Sequence, residues 1–285
     1  MKVFVFLSLL LLNINSVLAL PLGDFDALTE DNYVSTIKAL NNSGDYNFEG
    51  IVKLSNCSGS LIKFKGQPNS DQAYVLTNGH CLGRPFIAPG EYVLNKKVNR
   101  RMKIADSKMK FHKVKADLLV YGTMTGTDSA IYRLKETYED IAKLGIDPFL
   151  LDDVRPKLGT NIDIISGYWE RGFSCFIDEF IFELHEAGWV FTDSLRYSNE
   201  GCDTYGGTSG SPIIERGTRV VIAINNTGND SGKYCSMNNP CERDESGQTT
   251  VRKGASYGQQ TYQFYTCLSK DYKIDLSING CELTK

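Results

Sequence analysis

The alternation of apolar and polar residues predicts a chain built mainly of short β-strands. Runs rich in Val, Ile and aromatic residues are separated by Gly, Asn, Asp and Ser turn residues. A first series covers residues 50–54, 59–64, 73–77, 92–94, 102–104 and 117–120. A second covers 161–166, 173–177, 188–191, 212–214, 220–224 and 261–267. These two series predict an all-β fold in two halves, each of the kind found in a barrel or a sandwich. Two six-stranded antiparallel β-barrels fit the length of the chain.

The regions outside the strands are predicted to connect or flank the two barrels. The pattern over 135–146 is helical, and 27–40 has a short amphipathic helical pattern. The expected organisation is a signal peptide at 1–19, an N-terminal arm or propeptide at 20–45, a first barrel at 46–140, a linker and second barrel at 141–268, and a C-terminal tail at 269–285.

The first nineteen residues have the pattern of a secretory signal peptide. Lys2 precedes an apolar run over 3–12, and Val17 and Ala19 are the small residues of a cleavage site before Leu20. The apolar run is shorter than the roughly 20 residues that a spanning helix needs. We therefore expect an exported protein, secreted or periplasmic, without a membrane span.

Composition narrows the function classes. Hydrophobic residues make up 41% and charged residues 23% of 285 residues, which is typical of a globular chain. The net charge of −3 gives no electrostatic basis for a nucleic-acid partner. The chain has 8 Cys, an even number, and disulfides persist in the oxidising compartment that a signal peptide implies.

Metal and cofactor chemistry has no motif to support it. No HExxH is present. The acidic stretch 242–247 resembles a calcium loop, but Lys253 occupies the position of the closing Glu. We expect no cofactor and no metal site.

Three short segments carry candidate chemistry. His80, in Thr-Asn-Gly-His-Cys, follows a predicted strand, so a loop exposes it at the strand end. Asp128 precedes a small and apolar run that is typical of a buried strand. Ser209, in Gly-Gly-Thr-Ser-Gly-Ser-Pro, lies on a glycine-rich loop. The order His, Asp, Ser is one of the few known for a catalytic triad, and it excludes the α/β-hydrolase order.

These segments resemble the motifs of chymotrypsin/trypsin-like serine endopeptidases. Residues 77–81 are similar to the TAAHC box, 57–62 to the CGGSLI strand and 128–134 to the DIALLKL strand. Residues 207–212 resemble the GDSGGP loop and are closer to the GNSGSP form of bacterial glutamyl endopeptidases. The resemblance spans about 49–268 and implies a chymotrypsin-like double barrel.

The resemblance also implies roles. Ser209 would be the nucleophile, His80 its general base and acid, and Asp128 the residue that orients the imidazole. The N–H groups of Gly207 and Ser209 would form the oxyanion hole. His112 and His185 are expected at the surface. The implied function is hydrolysis of peptide bonds in protein or peptide substrates through an acyl-enzyme, and we expect a monomer.

A catalytically silent protein of the same fold, kept for binding, is the alternative hypothesis. Such pseudoproteases usually lack one of the three residues, and all three are present here. Reactivity of Ser209 with a fluorophosphonate probe separates the two hypotheses.

Specificity residues are predicted by the resemblance alone. Asp203 lies six residues before Ser209, where trypsin-like enzymes carry the aspartate that pairs with Lys or Arg. Asn226 and Thr227 would line the substrate strand, and Gly228 would keep the pocket mouth open. The His that glutamyl endopeptidases use is absent, which argues against a Glu preference.

Disulfide pairing is only partly predicted. The resemblance implies a Cys57–Cys81 bridge. For the six others, proximity in sequence favours Cys235–Cys241 and Cys267–Cys281, which leaves Cys175–Cys202, whereas the trypsin branch favours Cys202–Cys235.

The residue before Ser209 bears on activation. In the trypsin branch a newly released N-terminal amine pairs with an aspartate there. Here the residue is Thr208, which offers no carboxylate, so the inserted ammonium would be buried without a partner. We therefore expect Thr208 to hydrogen-bond locally and the oxyanion loop to be ordered without an inserted N-terminus.

Overall fold

Strands dominate the computed structural model, which describes residues 46–197 and 201–285. The predicted signal peptide, the 20–45 arm and the 27–40 helix lie outside the described residues. All the described strands join one continuous hydrogen-bonded network.

The first six strands close into an antiparallel barrel. Their order around the barrel is first, fourth, fifth, sixth, third and second, and the second pairs back with the first. The strands are β1 (Ile51–Lys53), β2 (Ser58–Lys63), β3 (Gln72–Thr77), β4 (Tyr92–Ala105), β5 (Phe111–Thr123) and β6 (Ser129–Thr137).

A second antiparallel barrel follows, and it too has six strands. The strands are β8 (Asn161–Ser166), β9 (Arg171–Glu186), β10 (Trp189–Tyr197), β11 (Pro212–Glu215), β12 (Val220–Gly228) and β15 (Ser256–Gln260). The order β12-β11-β8-β9-β10-β15 closes because β15 pairs with β12. The predicted double barrel is therefore confirmed.

Short elements connect and extend the barrels. Strand β7 (Phe149–Leu151) lies parallel to both β2 and β12 and so joins the two barrels. Strands β13 (Cys241–Arg243) and β14 (Thr249–Thr250) extend β9. Within 46–197 and 201–285 the helical elements are α1 (Tyr138–Ala142) and the 3₁₀ turns His80–Leu82 and Tyr262–Cys267.

Each barrel interior is filled by the inward-facing residues of its own strands, as the alternation of side chains requires. The first core includes Leu61, Val75 and Ile104, and the second includes Ile164, Ile177 and Ile213. All six are fully buried. Two rigid cores side by side hold the strand ends, and the loops that follow them, in register.

Several predicted elements differ from the structure. The strands predicted over 92–94 and 102–104 are one long strand, β4. The predicted strand over 261–267 is a 3₁₀ turn, and the strand that closes the barrel is β15, whose polar sequence SYGQQ is nevertheless buried. The helix predicted over 135–146 is shorter, because β6 continues to Thr137. There Thr137 and Asp140 form a capping box that starts α1.

Four disulfides use all eight cysteines. They are Cys57–Cys81, Cys175–Cys202, Cys235–Cys241 and Cys267–Cys281. The pairing implied by the resemblance for the first bridge is present, and the local pairings prevail over Cys202–Cys235. Among the described residues, no helix has the length and apolarity that crossing a membrane requires.

Candidate active site

His80 begins a 3₁₀ turn just after β3. The turn presses against β5, because a Cβ on Gly79 would lie 1.9 Å from the carbonyl oxygen of Thr123. Asn78 donates from its side-chain amide to the carbonyl oxygen of Asp128 at 2.7 Å. The end of β3 is thereby tied to the start of β6, which brings His80 and Asp128 together.

The ring and the backbone of His80 both contact the carboxylate of Asp128. Nδ1 lies 2.7 Å from Oδ2 of Asp128, and the backbone N–H of His80 donates to Oδ1 at 3.0 Å. Asp128 is 1% exposed. Because an ionised carboxylate only accepts, Nδ1 must carry the proton, and Nε2 of the neutral ring is left as an acceptor.

The charge environment makes His80 a stronger base than an isolated histidine. Burial by itself lowers the pKa of His80. The negative charge of Asp128, its hydrogen bond and the charge of Glu186 outweigh that effect, so the pKa of His80 is raised above its usual value of 6.5.

The loop that bears Ser209 is anchored to both barrels. Ser58 of β2 donates its backbone N–H to the carbonyl oxygen of Ser209 at 2.8 Å, and Gly210 donates to Asn225 of β12 at 2.9 Å. Gly210 has φ +78°, and a Cβ there would lie 2.2 Å from Oγ1 of Thr77. Only glycine allows this close approach.

The hydroxyl of Ser209 does not engage His80. Its Oγ donates to the carbonyl oxygen of Asn226 at 3.3 Å, and among the described hydrogen bonds none joins it to the imidazole. Both side chains nevertheless line one cavity. Catalytic hydrogen bonds are often long or unformed in the absence of substrate, so this contact is compatible with a catalytic role for Ser209.

Two backbone N–H groups are available beside Ser209. Within 46–197 and 201–285, neither the N–H of Gly207 nor that of Ser209 has a hydrogen-bond acceptor. The indole N–H of Trp169 donates to the carbonyl oxygen of Gly206 at 2.8 Å. In a trans peptide the C=O and the next N–H point in opposite directions, so this contact turns the N–H of Gly207 away from Trp169.

Gly207 is confined by the same aromatic pair. Its φ is +93°. An added Cβ would lie 2.7 Å from Nε1 of Trp169 and 2.9 Å from Cδ1 of Tyr168. Both the backbone conformation and the packing therefore require glycine at this position.

Thr208 hydrogen-bonds locally, as predicted. Its Oγ1 donates to the carbonyl oxygen of Tyr205 at 2.6 Å and accepts from Nδ2 of Asn225 at 3.0 Å. Thr208 is 2% exposed. The buried hydroxyl of Thr208 therefore has its partners within the loop and in the neighbouring strand β12.

The cavity around Ser209 is acidic and partly aromatic. Asp128, Glu186 and Asp230 contribute carboxylates to its lining, and no Lys or Arg of the described residues lines it. Five apolar side chains also line it: Phe86, Met124, Trp189, Phe191 and Met237. A cleft of this composition favours a cationic or apolar substrate side chain over an anionic one.

The predicted specificity residues divide into two groups. Asn226, Thr227 and Gly228 line the cavity. Asp203 is exposed and does not line it. The residue before it, Cys202, is buried and bonded to Cys175 of β9, and the chain turns into the cavity only at Thr204. We therefore give Asp203 no part in the site.

Glu186 is the acid that sequence reasoning missed. It is 6% exposed, lines the cavity, and accepts from the backbone N–H of Asn238 at 2.7 Å. Burial raises the pKa of Glu186, although that hydrogen bond opposes the rise. Glu186 is the last residue of the long strand β9. No motif or spacing in the sequence indicates that this strand extends to the cleft.

His112 and His185 lie away from this cavity and are partly buried. Nε2 of His112 is 2.8 Å from Oδ2 of Asp106, and Nε2 of His185 is 2.7 Å from Oε2 of Glu183. Each imidazole is thus already paired, and neither has a serine hydroxyl among its described partners.

Three solved structures are similar to this chain. The MamO protease domain from Magnetospirillum magneticum, in its apo form, has 13% identity and a TM-score of 0.46, covering 76% of this chain and 94% of that one. A Glu endopeptidase in complex with MPD has 16% identity and a TM-score of 0.45, covering 77% of this chain and 87% of that one. Nocardiopsis protease has 14% identity and a TM-score of 0.43, covering 75% of this chain and 93% of that one. No curated protein sequence matches the chain.

Family membership rests on the sequence profile of the trypsin-like peptidase domain. That profile matches residues 57–224, which is more than half of the 285 residues. The match begins at Cys57 and runs through His80, Asp128 and Ser209 to the strand that lines the cavity. The chain therefore belongs to the trypsin-like peptidase family.

Proposed function

We propose that the protein is an exported serine endopeptidase that uses Ser209, His80 and Asp128. The observation that carries this proposal is the 2.7 Å contact of His80 Nδ1 with Asp128 Oδ2, which leaves Nε2 free in a cavity shared with Ser209. A neutral hydroxyl needs such a base to attack an amide.

The reaction has two halves. Oγ of Ser209 attacks the substrate carbonyl carbon while its proton passes to Nε2 of His80. The N–H groups of Gly207 and Ser209 bind the oxyanion of the tetrahedral intermediate. The intermediate collapses, the imidazolium protonates the leaving amine, and an acyl-enzyme remains. Water, deprotonated by the same imidazole, then releases the acid.

Export is supported by the cysteine chemistry. All four pairs are disulfides, and disulfides are rare where thiols are kept reduced. The proposed location is secreted or periplasmic.

The alternative proposal is a binding protein that keeps the fold without turnover. The contact of Ser209 Oγ with Asn226 O, in place of His80, is the observation that favours it. The two proposals differ in whether the hydroxyl can be activated by the imidazole.

Labelling with a fluorophosphonate probe decides between them. The unmodified protein should be labelled at one site, and Ser209→Ala should not be labelled while its circular dichroism spectrum is unchanged. A folded protein that resists the probe after any removal of residues 20–45 would favour the binding protein.

A further inference from the structure

A basic groove lies on the outer surface of the first barrel. Strands β1, β4 and β5 contribute five cations to it: Lys53, Arg101, Lys103, Lys113 and Lys115. Glu136 is the one carboxylate in its described lining. This groove is defined here by those six residues together with Tyr168. Its charge is local, because the whole chain has a net charge of −3.

The strand register places these cations directly opposite one another. Lys103 pairs with Lys53 on one side and with Lys113 on the other, and Arg101 pairs with Lys115. Side chains opposite each other across antiparallel strands lie about 5 Å apart, and like charges there are destabilising. The arrangement therefore costs stability in the free protein.

Little in the chain neutralises this charge. Among the described residues only Lys53 of the five forms a salt bridge, with Glu170 at 2.7 Å. Oε2 of Glu136 accepts from the backbone N–H of Lys115 at 3.4 Å. An anionic ligand would relieve the repulsion that the fold leaves uncompensated.

The groove adjoins the loop of Ser209. Tyr168 lines the groove, and its ring packs against Gly207, where an added Cβ would lie 2.9 Å from Cδ1. The two residues that follow Tyr168 contact the loop and the groove respectively. Trp169 donates to the carbonyl oxygen of Gly206 in the loop, and Glu170 forms a salt bridge with Lys53 of the groove. The segment 168–170 therefore contacts both the groove and the loop of Ser209.

We propose that this groove is an accessory binding site for an acidic segment, rich in Asp or Glu, of the protein substrate. The inference rests on the proposed peptidase function. The groove's positive charge is complementary to an acidic segment, and its contact with the Ser209 loop through Tyr168 favours a segment of the protein substrate over a lipid surface. The groove would hold the substrate by charge while the cleft selects the scissile bond.

The binding test uses the Ser209→Ala protein, so that no turnover is needed. A fluorescein-labelled oligoglutamate peptide should bind, and raising the ionic strength from about 0.05 M to about 0.5 M should weaken binding. The double variant Lys103→Gln/Lys113→Gln should bind about tenfold more weakly, as expected for two lost charge contacts. The matched control Lys157→Gln/Lys270→Gln removes the same charge elsewhere and should bind as before.

Two results would overturn the proposal. One is equal affinity of the groove variant and the control. The other is binding of phosphatidylglycerol vesicles or a DNA oligonucleotide by the groove without binding of oligoglutamate. Loss of folding is not expected, since the groove substitutions relieve repulsion, and thermal unfolding of both variants checks this.

A kinetic comparison tests the link to the cleft. Two peptides contain the same cleavage sequence, chosen as the one that the unmodified protein cleaves best in a random library. One peptide is extended by several Glu residues, and the other by the same number of Gln residues. KM should be lower for the Glu peptide, and the groove variant should remove this difference with kcat unchanged. Equal KM values in the unmodified protein would overturn the inference even if fluorophosphonate labelling upholds the peptidase function.

Discussion

Two histidine–aspartate pairs of nearly equal geometry lie on the first barrel. His80 and Asp128 are 2.7 Å apart beside the cleft, and His112 and Asp106 are 2.8 Å apart at the β4–β5 turn. The side chains of the two histidines are similarly exposed, at 23% and 18%, but the aspartate side chains differ, at 2% for Asp128 and 14% for Asp106.

The two pairs also use different ring atoms and neighbours. His80 bonds through Nδ1 and keeps Nε2 for the cavity, whereas His112 bonds through Nε2. Asp106 in addition accepts from the backbone N–H groups of Lys108 and Lys110, so it organises its turn. The comparison shows that a contact between a histidine and a carboxylate does not by itself indicate an active site. Burial of the acid, a free Nε2 and a nearby hydroxyl distinguish the proposed catalytic pair.

The largest expected difference comes from removing each carboxylate. Asp128→Asn should lower kcat by roughly 10⁴-fold, because the imidazole loses the partner that selects its tautomer. Asp106→Asn is the matched control and should leave kcat within twofold, roughly the spread expected for a surface change. Steady-state hydrolysis measures both. Equal losses in the two variants would show that the pairs do not differ in role.

A smaller effect is expected on the serine side of the cleft. Trp169→Phe keeps an aromatic ring but loses the indole N–H that holds Gly206 O. The N–H of Gly207, a proposed donor to the oxyanion, would then be less firmly oriented, and kcat should fall about tenfold to a hundredfold with little change in KM. Trp169→His, which retains a ring N–H, should recover part of the loss. An increase in KM alone would assign Trp169 to substrate binding instead.

The pH dependence of activity should distinguish His80 from His112. His80 must be neutral to accept a proton, and its pKa is raised. Activity should therefore fall on acidification with an inflection above pH 6.5. Since the charge of Glu186 contributes to that rise, Glu186→Gln should move the inflection of kcat/KM to lower pH. His112→Gln should leave it in place, and a shift in that variant would contradict the assignment.

The smallest expected effect concerns acid stability. The hydrogen bond from His112, with that from Lys110, lowers the pKa of Asp106 from 3.8 to about 2. A lowered folded-state pKa stabilises the protein above the unfolded value, and the contribution is lost as pH falls from about 4 to about 2. The difference in Tm between the unmodified protein and Asp106→Asn should thus be present at neutral pH and vanish near pH 2. A constant difference over this range would argue against the pair.

Much of the candidate site was predictable because its residues lie in short sequence motifs. His80, Asp128 and Ser209 each follow or precede an apolar strand, and strand ends are where loops expose side chains. The structure lines one cavity with all three. Asp203 shows the limit of such spacing, because a single turn after Cys202 leaves its side chain outside the cavity.

Other parts of the fold were not predictable from local pattern. β15 is polar in sequence, yet it is buried because it closes the barrel between β10 and β12. Residues 261–267 have a strand-like composition, yet they turn as a 3₁₀ helix after that closure. In both cases tertiary contacts override local propensity.

By itself, the sequence determined the all-β class, its two halves and the candidate catalytic residues, because alternation and motif order are local properties of the chain. Only the tertiary structure decided which distant groups meet. Glu186 reaches the cleft through a long strand, Trp169 holds the peptide before Gly207, and Lys53, Lys103 and Lys113 align through strand register. These contacts depend on how strands pair across the barrel, and pairing is set by the packing of the whole core.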